Sequence, residues 1–132
     1  MAISTAFYTQ GGSTGVTHAL LDSHKPLIPI AGEAENGFRK LIVANAKDGL
    51  LGISAGQSPA LSAVALKAAI AVLQGETLPS EVRVPIPAAN YKTLEGGKNY
   101  FPELSDTFFA AHDFPVCDIN LSAQQITGQT SK

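Results

Sequence analysis

From Ile3 to Thr9 the chain runs ISTAFYT, rich in β-branched and aromatic residues, and breaks at Gly11 and Gly12 before Ser13 and Thr14, two residues suited to cap a helix. A strand, a tight loop and a helix follow from that order. Val16, Ala19 and Leu20 fall on one face of this first helix, which must stop before Pro26 because proline disfavours helical geometry in the residue before it. Leu27 to Ala31, LIPIA, is a short apolar run with the length of a buried strand. After GEAENGF, the residues Phe38, Leu41, Ile42 and Ala46 recur at helical spacing until Gly49 supplies a stop. The second unit repeats the plan of the first.

Leu50 to Ala55 predicts a third strand, and Pro59 opens a helix that runs through Gln74 and closes on Gly75. Three β-loop-α units in succession predict an α/β fold with a parallel sheet. The third helix has an inner stripe of Leu61, Val64, Ala65, Ala68, Val72 and Leu73, yet Ala60, Ala63, Ala69, Ile70 and Ala71 make its other face apolar too. A helix apolar on both sides expects cover on both. Val82 to Ile86 predicts a fourth strand, which Pro85 restricts to an edge or a crossing. Beyond Pro87 the periodicity fades into aromatic anchors at Tyr100, Phe101, Phe108, Phe109 and Phe114, with one short helix after Ser122.

Composition narrows the partners. The chain has 132 residues, 45% of them hydrophobic, which is enough for one ordinary core. A formal charge of −2, with no run of lysine or arginine, removes the electrostatic footprint of a nucleic-acid or anionic-membrane binder. His18, His24 and His112 are scattered, so no metal-site spacing occurs, and the lone Cys117 packs as a small apolar residue. The first residues, MAISTAFYTQGG, contain neither a basic nor a long apolar region of the kind that directs export, so the chain as written is expected in the cytoplasm.

The chemistry sits in the strand-to-helix loops. Gln10 lies in the first, Glu33 and Asn36 in the second, Gln57 in the third, and a parallel sheet brings all three loops to one edge. Amides and a carboxylate together offer the donors and acceptors that a polyhydroxylated ligand requires. Capping of the following helices is the competing role for each of them. YTQGGSTG is neither a nucleophile elbow nor a phosphate loop with its lysine, and no acid pair, triad or activated thiol emerges, so no enzyme and no cofactor is expected.

FYTQGGSTGVTHAL, IPIAGEAENGF, GISAGQSPALSAVALKAAIAVLQGETLP and YFPELSDTFFAAHDFPVCDINLSAQQI occur in that order between about Ala6 and Ile126. In that order they resemble the C-terminal part of the periplasmic sugar-binding proteins of bacterial ABC transporters, of the ribose-binding type. The most specific part is the Gln-Ser-Pro turn with its alanine-rich helix and the LQGE-x-LP ending. The resemblance implies a type I periplasmic-binding-protein fold, two α/β lobes around a hinge, of which this chain is the C-terminal portion. Residues 1–56 then form part of the C-terminal lobe. Residues 57–86 cross the hinge and supply a helix and strand of the other lobe, and residues 87–132 are the return segment and tail.

Carried over by position, the family's hinge glutamine falls on Gln57 and the polar ligand after the first strand on Gln10 or Thr9. The family's acidic ligand falls on Ala34, which has no polar group, so the resemblance passes that role to Glu33 or Asn36. It implies a sugar or sugar-like ligand, an ABC permease as partner and a periplasmic location. The alternatives are the effector half of a transcription regulator of the same fold and a truncated remnant that binds nothing. An incomplete sheet and a two-sided apolar helix predict that the isolated chain forms a homo-oligomer.

Overall fold

The computed structural model describes residues 5–56, 59–81, 83–111 and 122–128. It is a mixed α/β arrangement built on a four-stranded sheet in the order β1-β2-β3-β4. The strands are β1 (Phe7–Tyr8), β2 (Ile30–Gly32), β3 (Ile53–Ala55) and β4 (Ala88–Asn90), and the helices are α1 (Ser13–Asp22), α2 (Asn36–Asn45), α3 (Leu61–Leu73) and α4 (Ala123–Thr127). β1 pairs with β2 and β2 with β3 in parallel, as three β-loop-α units require, whereas β4 returns antiparallel to β3 with Ser54 opposite Ala89.

The strands are shorter than the apolar runs that predict them. Pro29 has no N–H to give a ladder, so β2 begins only at Ile30, although the Pro29 carbonyl still accepts the Phe7 N–H at 3.0 Å. The fourth strand moves for the same reason. Residues 83–86 form no strand, and pairing starts after Pro87, at Ala88, with the Pro87 carbonyl accepting the Gly56 N–H at 3.3 Å. Val82 itself, like Phe114 and Cys117, lies outside the described residues.

The core sits between the sheet and α2. Phe38 and Ile42 lock against Ile30 and Leu50, with Val16, Leu20, Leu27, Leu41 and Leu94 closing the rim. In α1 the inward positions differ from those expected. Ala19 is exposed, while Ser13 and Thr17 are fully buried, the Thr17 hydroxyl donating to the Ser13 carbonyl at 2.9 Å. The residue capping α1 is Gly12, which has no side chain to offer, and the Ser13 hydroxyl is engaged instead with the Thr9 hydroxyl at 2.7 Å and accepts the Glu33 N–H at 3.3 Å. That close approach needs a glycine at 32, where a Cβ would overlap the Ser13 side chain. At the far end of α2, Gly49 takes a φ of 108° and stops the chain where expected.

Helix α3 has no buried residue. Leu61, Val64, Ala68 and Ala71 are half-buried along one line, while Val72 and Leu73, expected on the inner stripe, are exposed, Leu73 by 86%. A second, smaller cluster gathers Phe101, Ala110 and Ala123, with Phe101 and Phe108 edge to face at 5.6 Å.

Candidate binding site at the sheet edge

The three parallel strands end together, and the residues leaving them form one edge. Thr9 and Gln10 follow β1, Glu33 follows β2 and Gly56 follows β3. Two clefts open there, and Glu33 lines both. The larger, about 540 Å³, lies between Glu33, Gly56, the entry of α3 at Pro59, Leu61 and Ser62, and the ring of Phe109. The smaller, about 260 Å³, is bounded by Tyr8, Thr9, Gln10, Glu33, Ile53 and Ala55. Such an edge is where open α/β sheets receive ligands, because loops diverge there and leave a crevice.

The backbone of Glu33 is held from both sides. Its N–H reaches the Ser13 hydroxyl, and its carbonyl accepts the Ser54 hydroxyl at 2.7 Å. The Ser54 oxygen in turn accepts Nε of Arg39 at 2.9 Å. Its carboxylate, by contrast, has no hydrogen-bond or ion-pair partner among the described residues. Gln10 is exposed at the rim of the smaller cleft. Gln57 lies outside the described residues, and its described chain neighbours Gly56 and Pro59 both line the larger cleft.

Asn36 does not join this edge. It is fully buried, its Nδ2 donates to the carbonyls of Phe101 and Ser105 at 2.8 and 3.1 Å, and its Oδ1 accepts the Phe101 N–H at 2.8 Å. Both ends of the amide are committed to the segment that closes over the start of α2, which leaves nothing for a ligand. The Asn36 and Gly37 N–H groups at that helix start are taken by the carbonyls of Phe108 and Asp106 at 2.8 and 2.9 Å. Ala34, the position where the resemblance would put an acidic ligand, is also fully buried.

The QGGSTG loop is closed to phosphate by an observation the sequence does not hold. The Thr14 hydroxyl donates to Oε2 of Glu35 at 2.7 Å, and the same oxygen lies 3.5 Å from the Thr14 N–H. A carboxylate already occupies the positive end of α1. Among the described residues there is no group of three or more histidine, cysteine or acidic side chains able to hold a metal, and no helix is long and apolar enough to cross a membrane.

Tyr8, Ser62 and Phe109 line the clefts, and the sequence marked none of them as a site residue. Tyr8 carried a local signal, being the aromatic at the strand's exit. Phe109 stood out in the sequence only as an aromatic anchor, and the antiparallel bridge between Glu35 and Phe109 brings it to the edge.

Beneath the site, Arg39 is only 2% exposed, and Nη1 donates to the Asn99 carbonyl at 2.7 Å while Nη2 has no partner among the described residues. Burial pulls its pKa down to about 10. The folded state therefore disfavours the cation. That cost is fully present below about pH 10 and is relieved as pH rises above it, because the folded chain gives up the proton before the unfolded chain does. The stability of the native chain relative to an Arg39→Met variant is expected to rise across that window. Parallel urea titrations of the two proteins at pH 9 and pH 11 check it, and a constant gap counts against an unpaired buried charge.

No protein-family model matches the chain, and neither a curated protein nor a solved structure matches it.

Proposed function

We propose that this chain is the C-terminal region of a type I periplasmic sugar-binding protein serving an ABC importer, and that it binds a sugar or sugar-like solute without turning it over. The observation that carries the reading is Glu33, which lines two clefts at the carboxyl edge of a parallel sheet and whose carboxylate has no partner among the described residues. Gln10, which lines the smaller cleft, supplies an amide at that edge, and the resemblance assigns a second amide to Gln57. A hydroxyl both gives and takes a hydrogen bond, and this set supplies both halves.

In this reading residues 57–86, α3 among them, cross the hinge to a second lobe, an ABC permease is the partner, and the periplasm is the place of action. The exposed Leu66 and Leu73 are surface for that lobe or for a second copy of the chain. Calorimetry with a panel of neutral pentoses and hexoses tests the function. The Gln57→Ala and Gln10→Ala variants are each expected to weaken the sugar that binds by about 0.5–1.5 kcal/mol, roughly two- to tenfold. An affinity unchanged in both variants removes these amides from the site.

A further inference from the structure

We propose that the solute taken at Glu33 carries a protonated amine and that phosphorylated forms of it are refused. This rests on the reading of the edge as a solute site and adds the charge of the ligand. The argument starts from what surrounds Glu33. Its carboxylate has no partner among the described residues, and no lysine, arginine or histidine is among the described residues lining either cleft. A half-buried glutamate that lines two clefts with no cation among their described lining leaves a charge for the ligand to compensate, and an ammonium group supplies the compensation together with up to three donors.

The nearby helix end does not offset this charge. In an open α/β protein the N-terminus of the first helix would draw anions to the same edge. Here the Glu35 carboxylate already holds Thr14 at that end, so the positive pole of α1 is spent within the protein. An incoming phosphate would meet Glu33 with no compensating charge among the described lining residues. Two aromatic residues complete the picture, Tyr8 lining the smaller cleft and Phe109 the larger. Aromatic faces attract cations and also cover the apolar face of a sugar ring. Ser13 and Ser54 bond the Glu33 N–H and carbonyl, so the backbone from which its side chain departs is held at the base of the site.

Calorimetry on the full chain tests this with matched probes: glucose and galactose, glucosamine and galactosamine, the two hexose 6-phosphates, and putrescine as an amine without a sugar. An amino sugar is expected to bind about tenfold more tightly than its neutral parent, since a charged hydrogen bond replaces a neutral one. The 6-phosphates are expected to give no binding heat. In a Glu33→Gln variant, whose fold is checked by circular dichroism, the ratio of amino to neutral affinity is expected to fall to about one. A neutral sugar bound as tightly as its amine, or a 6-phosphate bound at all, overturns the inference and leaves the sugar reading standing. Putrescine bound through Glu33 with every sugar silent upholds the amine site and overturns the sugar reading. Silence from every probe overturns both.

Discussion

Replacing Asn36 with alanine is expected to cost about 2–3 kcal/mol of stability, since it removes three hydrogen bonds of a buried amide at once. The side chain is completely enclosed, and it bonds both the N–H and the carbonyl of Phe101 as well as the Ser105 carbonyl. Alanine takes the Asn36 acceptor from the buried Phe101 N–H, while the Phe101 and Ser105 carbonyls keep the N–H groups of Leu104 and Phe108. The effect should be local as well as global. Residues 101–110 are tied to the start of α2 through Asn36, through Gly37 bonded to Asp106 and through Ala110 bonded to Ala34. Hydrogen exchange at the Gly37 and Ala110 amides should therefore accelerate more than exchange at the amides of β2 and β3. Equal acceleration everywhere, or a loss below about 1 kcal/mol in urea titration, contradicts the assignment of Asn36 as the brace of this segment. Phe109 reaches the larger cleft from the same segment, so the variant should also weaken whatever ligand the clefts bind.

The second large effect is expected at Phe38. It is fully buried against Ile30, Ile42 and Leu50, and its ring also approaches Gly32 at the end of β2. Phe38→Ala removes the largest apolar side chain of a core with four fully enclosed residues. The expected loss is about 4 kcal/mol, from transfer of the ring to water and from the cavity that remains. A domain of this size commonly has only about 5–15 kcal/mol in hand, so the variant should be partly unfolded under mild conditions. Thermal denaturation followed by circular dichroism measures this, and an undiminished melting temperature would show that α3 or the smaller aromatic cluster carries the stability instead.

The two residues differ in how visible they are in the chain. Phe38 stands in a helical pattern with Leu41 and Ile42, and hydrophobic periodicity alone assigns it to the core. Asn36 stands among Glu33, Glu35 and other loop residues, and nothing local distinguishes an amide that faces a ligand from one that faces the backbone of a distant segment. Burial decides the matter, and burial of Asn36 depends on the return of residues 101–105 across the start of α2.

By itself the sequence determined the first three β-loop-α units, the parallel pairing of their strands, the stop at Gly49 and the edge at which the loops meet. Each of these follows from short-range physics: the period of apolar residues, the missing N–H of proline, the left-handed φ that glycine tolerates and the loop length between strand and helix. The tertiary structure decided which polar residues of that edge are committed within the protein. It turned Asn36 inward, tied Glu35 to the N-terminus of α1, left Glu33 lining two clefts and brought Phe109 to the larger of them. It also moved the fourth strand beyond Pro87 and reversed it against β3. The reason is common to all of these: a hydrogen bond or a burial between residues far apart in the chain depends on where the backbone brings them, and local pattern does not encode that distance.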